Sequence, residues 1–174
     1  MSSLISPNQR LGRDDLVSFV ETEYSQVVAS VALMTGDSDG AEDAVQDALA
    51  SLRQRQDGFR PDNVAAWVTV VAANGSRSTL RRRGAEARAF ERLGPSATAS
   101  NDDAASRLSD AGLISAALAE LPDRQRHIAV LYYLGDHSVH DIAVALKVSD
   151  GTVKTQLSRA RTTLRASLER GDNK

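Results

Sequence analysis

The sequence predicts an all-α fold made of two small helical domains joined by a flexible linker. Apolar residues recur at helical spacing along most of the 174 residues, and the sequence has no alternating strand pattern and no internal repeat. The chain is 41% hydrophobic but only 4% aromatic, so its cores are expected to consist of Ala, Val and Leu. A polar stretch from Gly84 to Ser109, rich in Ala, Ser, Asp and Arg, separates the two helical halves and is typical of a linker.

Three helices are predicted before the linker. They extend from Asp14 to about Met34, from Ala41 to about Gln56 and from Asn63 to about Arg83, with turn-forming residues between them. The apolar face of the first helix includes Phe19 and Val20. Trp67 lies among valines in the third helix, so we expect it to be a core residue rather than a ligand contact.

Four helices are predicted after the linker, and the last two form a helix-turn-helix. The first two extend from Asp110 to Leu118 and from Asp123 to Tyr133. Ser138 is a good N-cap for the third helix, and either Ser149 or Asp150 can cap the fourth. The fourth helix has an apolar stripe that is expected to face inward, consisting of Val153, Leu157, Ala160, Leu164 and Leu168.

The remaining face of the fourth helix is polar and basic, which suits a helix that enters the major groove of DNA. Arg can bind a guanine edge with both of its donor groups, and Ser, Thr and Lys can hold phosphates. The alternative is a solvated basic helix in an ordinary bundle. The candidate DNA contacts on this face are Thr152, Lys154, Thr155, Ser158, Arg159 and Arg161.

Charge is distributed unevenly, although the net charge is only −2. The stretch from Asp14 to Leu52 contains nine acidic residues and no Lys or Arg. The stretch from Arg77 to Arg92 has six Arg and two Glu, a balance of +4, and that from Asp150 to Arg170 has five cations and two acids, a balance of +3. An acidic front and two basic regions predict two kinds of partner, a basic protein surface and a nucleic acid.

Several classes of function are disfavoured by what the sequence lacks. It has no Cys, no apolar stretch long enough for a membrane span, no signal peptide and no Gly-rich phosphate loop. His137 and His140 flank a turn and have no third ligand at a spacing that suits a metal. The sequence therefore predicts a cytoplasmic protein that is not an enzyme, inserts into no membrane, and uses no metal or cofactor.

Motifs in both halves carry a family resemblance. Gly36-Asp37 and the helix Ala41-Glu42-Asp43-Ala44-Val45-Gln46-Asp47-Ala48-Leu49, then Trp67, Asn74 and Arg81-Arg82-Arg83, resemble region 2 of bacterial RNA polymerase sigma factors of the extracytoplasmic-function (ECF) group. Leu121-Pro122, Gln125-Arg126, Asp141-Ile142-Ala143 and the run from Gly151 to Ala160 resemble region 4 of the same group. Ala73, Ser78 and His140 differ from the common family pattern, and the run from Asn74 to Ser78 is similar to an actinobacterial subgroup.

The resemblance implies a domain organisation and a function. It implies a flexible lead at 1–13, sigma region 2 at 14–84, a linker at 85–109, sigma region 4 at 110–170 and a tail at 171–174. Such a protein binds core RNA polymerase, at the coiled coil of the largest subunit and at the flap region. It then directs promoter-specific transcription initiation by recognising the −35 and −10 elements and by aiding promoter opening. An anti-sigma factor is a further candidate partner, because members of the family are often held by one.

The resemblance also assigns roles to individual residues. The acidic helix would bind core polymerase through Glu42, Asp43, Gln46 and Asp47. The −10 element would contact Arg60, Asn74, Arg77, Arg81, Arg82 and Arg83. The −35 element would contact the six residues named above on the last helix.

Two other interpretations remain open at this point. A conventional DNA-binding regulator would use the helix-turn-helix alone, but it leaves the acidic helix and the Arg run unexplained. An interaction protein, such as a sigma mimic or an anti-sigma partner, would bind polymerase or a regulator without reading DNA. In that case the cations of the last helix would be dispensable.

Overall fold

The computed structural model describes residues 13–55, 59–76 and 110–171, and every regular element in these ranges is an α-helix. The predicted all-α class is therefore confirmed. The helices are α1 (Arg13–Thr22), α2 (Tyr24–Thr35), α3 (Ala41–Gln54), α4 (64–76), α5 (Asp110–Ala119), α6 (Asp123–Tyr133), α7 (Val139–Leu146) and α8 (Asp150–Gly171). The front module comprises α1 to α4, and the back module comprises α5 to α8. The predicted linker at 85–109 lies outside the described residues.

The prediction of one helix from Asp14 to Met34 was wrong, because two helices occupy this stretch. They are separated at Glu23, which has φ −121° and ψ −17°. The hydroxyl of Thr22 donates to the carbonyl of Ser18 at 2.7 Å, a bond of the kind that bends helices. The front module consequently has four helices rather than three. Val20, which was assigned to the buried face, is 54% exposed, whereas the adjacent Phe19 is buried.

The front module packs around a core of small and medium apolar residues. Phe19 on α1 is 3% exposed, and α2 to α4 contribute valines and alanines in equal number, together with Leu52. Gly36 adopts a left-handed conformation with φ +74° and ends α2, so that α3 can return against it. Trp67 is half-buried at the edge of this core, as predicted, and its ring lies 5.9 Å from that of Phe59. The fully buried members are Val27, Val31, Ala41, Val45, Ala48, Leu52, Ala65, Val68 and Ala72.

The back module confirms the predicted helix-turn-helix and most of its inward stripe. Val153, Leu157 and Ala160 on α8 are buried, and Leu164 is half-buried. Leu168 was expected inside but is 43% exposed, so the stripe ends one turn earlier. The other helices of the module contribute buried residues that include Leu118, Ile128, Ala129, Val130, Leu131, Ile142 and Ala143.

The two helices of the helix-turn-helix begin at side-chain caps. The hydroxyl of Ser138 accepts from the backbone N–H of Asp141 at 3.1 Å, and the Asp141 carboxylate accepts from the backbone N–H of Ser138 at 3.3 Å, which forms a capping box. Lys147 ends α7 in a left-handed conformation with φ +55°. Of the two candidate caps for α8, Ser149 is the one that acts, because its hydroxyl accepts from Thr152 N–H at 3.2 Å.

The front and back modules pack against each other. Met34, Val70 and Ala73 of the front module belong to the same buried cluster as the core of the back module. Polar contacts cross the boundary at Gln26, whose side-chain amide donates to the Leu134 carbonyl.

Candidate functional site

The outer surface of α8 presents the six predicted DNA contacts as two adjacent stripes. At 3.6 residues per turn, Lys154, Ser158 and Arg161 form one stripe. Thr152, Thr155 and Arg159 form the other. Thr155 and Arg159 are exposed and lie on the side of α8 away from the buried stripe. The structure therefore brings all six residues to one surface.

Arg161 is held by a contact that the sequence pattern does not indicate. Its Nε donates to the hydroxyl of Tyr133 at the end of α6, at 2.6 Å, and this bond raises the pKa of Arg161 above its ordinary value. The Tyr133 ring stacks edge-on against Tyr132, with the centroids 5.1 Å apart. Arg161 thus lies at the flank of α8, next to α6, in a different environment from Arg159.

Two hydroxyl groups on α8 are engaged with the start of the helix. Thr152 shares a hydrogen bond with the Ser149 hydroxyl at 2.9 Å, and Thr155 donates to the carbonyl of Gly151 at 2.9 Å. These bonds fix the side-chain orientations near the N-terminus of α8. Because a hydroxyl that donates still has acceptor lone pairs, Thr155 can also accept from an outside donor.

The four predicted polymerase-binding residues on α3 face two different neighbours. The Glu42 carboxylate accepts from the Tyr24 hydroxyl at 3.3 Å, and the Gln46 amide donates to the Tyr24 hydroxyl oxygen at 3.5 Å. Asp43 and Asp47 instead line an open groove between α3 and α4, together with Asp37, Asp39, Val71 and Ser76. All four predicted residues are exposed, but among them only the two aspartates line this groove.

The predicted −10 contacts are only partly described. Arg60 is half-buried in the segment 59–63 that precedes α4, and Asn74 is exposed on α4. Arg77, Arg81, Arg82 and Arg83 lie outside the described residues, so nothing is said of their placement. Arg60 and Asn74 therefore remain the two positions of this set that the structure locates.

Asn63 and His137 form a polar contact between the modules that sequence reasoning missed. The Asn63 Oδ1 accepts from the backbone N–H of Ala66 at 2.9 Å and so caps α4, while its Nδ2 lies 3.3 Å from His137 Nδ1. Because the Asn63 amide nitrogen can only donate, the ring nitrogen must accept, which requires a neutral His137. The buried location of His137 lowers its pKa, although the carboxylates of Asp141, Glu23 and Asp136 act in the opposite direction.

Asp141 has a shifted pKa for a different reason. The hydroxyl of Ser138 donates to its carboxylate at 2.7 Å, and this bond lowers the pKa of Asp141 below its ordinary value. Asn63 donates to the same carboxylate and lowers its pKa further. Within the described residues, no group of three or more His, Asp or Glu side chains could hold a metal ion. No helix in the same ranges is both long enough and apolar enough to cross a membrane.

Comparison with known proteins decides the family. Residues 19–86 match the model of Sigma-70 region 2, and residues 111–164 match that of Sigma-70, region 4. The chain is 34% identical over 143 residues to the ECF RNA polymerase sigma factor SigM of Mycobacterium tuberculosis, covering 81% of this chain and 70% of that protein. The chain belongs to the ECF sigma factors. This sigma factor therefore takes part in promoter recognition and transcription initiation with RNA polymerase.

Two further relatives support the assignment. The sigma factor is 32% identical over 155 residues to the RNA polymerase sigma-E factor of Streptomyces avermitilis, covering 88% of this chain and 85% of the relative. This relative and the SigM of Mycobacterium tuberculosis both come from actinobacteria, in agreement with the expected subgroup. Among solved structures, the sigma factor RpoE from Bartonella quintana, crystallised with the anti-sigma factor NepR, is similar with a TM-score of 0.70 and 27% identity. The match covers 91% of this chain and 98% of that one.

Tyr133 and Asn63 are two positions of the sigma factor that sequence reasoning did not select as site residues. Tyr133 was predicted only as the last residue of a helix, and no short-range pattern links it to Arg161. Asn63 was predicted as a helix start, which its cap on Ala66 confirms, but its second contact crosses to the other module. A helix-capping signal identifies such a residue locally and says nothing of its distant partner.

Proposed function

We propose that this sigma factor reads the −35 element of its promoters with the outer surface of α8. The observation that carries the proposal is the placement of Thr155 and Arg159 on the side of α8 away from the buried stripe, with two further exposed cations, Lys154 and Arg161, along one flank. This arrangement suits a helix whose most exposed residues meet base edges while its flanks meet the phosphates. Ser158 and Thr152 would contact the sugar-phosphate backbone of the DNA.

The −10 element would be taken by the segment 59–63 and α4. Arg60 and Asn74 are the described residues with this role, and Arg77, Arg81, Arg82 and Arg83 would add phosphate contacts along the melted strand. An amide can both donate to and accept from a base edge, whereas Arg cations position the strand without specifying it. The sigma factor itself would make and break no covalent bond, so promoter opening would come from binding energy alone.

Core RNA polymerase would bind the acidic surface of the front module. Asp43 and Asp47 carry the strongest case, because they are exposed in a groove lined by two further aspartates. Glu42 and Gln46, which are joined to Tyr24, would form its border. Carboxylates at such a surface accelerate association with a basic partner and fix its register. Region 4 would add the contact with the flap region.

We further propose that the protein acts in the cytoplasm, where polymerase and promoters are, and that an anti-sigma factor can hold it. The support for the anti-sigma partner is the similarity to a sigma factor that was crystallised with one. The domain limits proposed from the sequence are 14–84 for region 2 and 110–170 for region 4. They contain the matched ranges, except that the region 2 match extends to residue 86.

The test is in-vitro transcription with core polymerase on a genomic promoter library, followed by sequencing of the products. We expect specific new start sites from the unmodified chain and their loss from a variant with Asp43→Lys and Asp47→Lys. A matched control reverses two exposed acids elsewhere, Glu21→Lys and Glu169→Lys, and so changes the net charge equally. The control is expected to retain the start sites.

Other outcomes would favour the alternatives. Polymerase binding without any transcript would favour a sigma mimic. Tight binding of duplex DNA by the chain alone, without polymerase binding, would favour a conventional regulator. Loss of transcription in both charge-reversed variants would show that net charge matters and that the groove has no special role.

A further inference from the structure

An acidic residue stands at the leading end of the helix that is expected to read DNA. Asp150 is the first residue of α8, and its side chain is 52% exposed. It precedes Lys154 by four residues, so it extends the stripe of Lys154, Ser158 and Arg161 to the N-terminus of the helix. The cations of this stripe attract DNA phosphates, whereas a carboxylate beside them repels phosphates and lowers the affinity for every sequence.

The fold makes little use of the Asp150 carboxylate. Ser149 rather than Asp150 caps α8, because the Ser149 hydroxyl accepts from Thr152 N–H at 3.2 Å. A close neighbour of Asp150 is His140 on α7, whose Nδ1 lies 3.7 Å from Asp150 Oδ1. That separation exceeds the length of a hydrogen bond, and both side chains are more than half exposed, so the pair contributes little to folding stability. The remaining benefit is the ordinary attraction between an acid and the N-terminus of a helix.

The positions of Asp150 and His140 in the helix-turn-helix suit contact with DNA. In this motif the N-terminal residues of the second helix meet base edges in the major groove, while the first helix crosses the sugar-phosphate backbone. Asp150 begins the second helix, and His140 lies in the first turn of the first helix, α7. Because Cα–Cβ bonds tilt toward the N-terminus of a helix, the Asp150 carboxylate projects ahead of α8, toward the bases that this end would meet.

A carboxylate discriminates among the four bases because it can only accept hydrogen bonds. In the major groove only cytosine N4 and adenine N6 donate, whereas guanine and thymine present acceptors. The adenine donor lies beside N7, an acceptor that a carboxylate repels, and a side-chain amide matches adenine better with its donor and its acceptor. On cytosine no acceptor lies next to the amino group at the groove edge. A carboxylate therefore favours cytosine, and an amide in the same place favours adenine.

We propose that Asp150 is a specificity-determining residue of this sigma factor, and that it accepts a hydrogen bond from the amino group of a cytosine at one end of the −35 element. His140 is its positioning residue, because the ring limits the space in which the carboxylate moves. This role rests on the function proposed above for α8. With cytosine present, the base contact offsets the repulsion between the carboxylate and the phosphates. With guanine or thymine the repulsion remains, so the promoter binds more weakly.

The test is the selection of promoter fragments by the reconstituted holoenzyme from a library whose −35 element is randomised, followed by sequencing. We expect the unmodified sigma factor to enrich cytosine at one base pair, roughly tenfold over adenine. Asp150→Asn should move the preference at that pair to adenine and leave the other pairs unchanged. The matched control is Asp136→Asn, which neutralises an exposed acid in the turn before α7 and should leave every preference as it is.

Two further variants separate the chemistry of Asp150 from its effect on the fold. Asp150→Glu retains a carboxylate and should continue to favour cytosine over adenine. His140→Ala gives the carboxylate more freedom, and it should lower the cytosine-to-adenine ratio about threefold without changing which base is preferred. A structural role alone would alter the overall affinity and leave this ratio unchanged. An unchanged ratio in His140→Ala would therefore overturn the positioning role of His140.

Other results of the selection would overturn the role of Asp150. Absence of a cytosine preference, or its persistence in Asp150→Asn, would show that Asp150 reads no base. A gain of affinity in Asp150→Asn that is equal on every sequence would show that the carboxylate only repels phosphates. In these cases the unmodified holoenzyme still prefers a −35 sequence, so the function proposed for α8 stands. Absence of any −35 preference in the unmodified holoenzyme would overturn that function and the role of Asp150 together.

Discussion

Arg161 on α8 donates a hydrogen bond from Nε to the hydroxyl of Tyr133 on α6, at 2.6 Å, across 28 residues of sequence. The bond holds one cation of the predicted −35 surface against the body of the back module. Both side chains are exposed, so the contact adds little to folding stability. Its consequence lies in DNA binding, because an ordered side chain loses less conformational entropy when it meets a phosphate.

Tyr133→Phe should therefore weaken promoter binding without destabilising the fold. Removing the hydroxyl frees Arg161, and ordering that side chain again on DNA should reduce affinity by roughly threefold to tenfold. The measurement is an equilibrium titration of the reconstituted holoenzyme with labelled promoter. Tyr132→Phe removes a neighbouring hydroxyl and should have little effect. Tighter binding by Tyr133→Phe would mean that the bond holds Arg161 away from DNA.

Arg159→Ala should reduce promoter affinity more than the loss of any other single cation on α8. Arg159 lies opposite the buried stripe, and an Arg that reads a base contributes about 1–3 kcal/mol. The control is Arg165→Ala, which removes an exposed Arg further along the same helix. A base contact also predicts that the loss is confined to the cognate −35 sequence. An equal loss on scrambled DNA would identify Arg159 as a phosphate contact.

Ser138→Ala should lower the free energy of unfolding by about 1 kcal/mol, the ordinary value of an N-cap. The substitution removes the hydroxyl that accepts from Asp141 N–H and donates to its carboxylate. Urea denaturation followed by circular dichroism gives the free energy directly. Ser115→Ala on the exposed side of α5 should change it little. Equal effects of the two substitutions would show that the capping box contributes nothing measurable.

Stability should fall as the pH drops below about 6.5, because His137 is buried as a neutral ring. Burial lowers the pKa of His137 in the folded state. As the pH falls, the unfolded chain therefore binds a proton before the folded protein does, and the free energy of unfolding decreases. The contribution of His137 is therefore complete above the unfolded pKa and is lost as the pH falls through the folded one. Asp141, whose pKa is lowered from an already acidic value, stays ionised throughout this window.

The pH dependence is measured as urea midpoints between pH 7.5 and pH 5.5. His137→Gln should flatten the decline, since the titrating group is gone. His140→Gln is the matched control, because it removes a second histidine whose side chain is 74% exposed. A decline of the same steepness in His137→Gln and the unmodified chain would locate the titrating group elsewhere.

Much of the fold could be predicted from short-range patterns. The stripe of Val153, Leu157 and Ala160 repeats with the period of a helix, and the structure buries all three. Ser138 was predicted as an N-cap because Ser favours that position directly before an apolar helical face, and its bond from the Asp141 N–H confirms the cap. The bend at Glu23 could not be predicted in this way, since no Gly or Pro marks it and its apolar residues continue the helical period on both sides.

The candidate site likewise has features that short-range patterns predict and features that depend on tertiary contacts. The sequence by itself determined that the chain is helical, that α8 has a polar outer surface and that its motifs are those of an ECF sigma factor, because these features depend on residues a few positions apart. Only the tertiary structure decided that Arg161 is held by Tyr133, that Asp43 and Asp47 share a groove without Glu42, and that Gln26 meets Leu134, 108 residues away. Such contacts depend on how whole helices pack, and the periodicity of one helix specifies which face is buried but not what it is buried against.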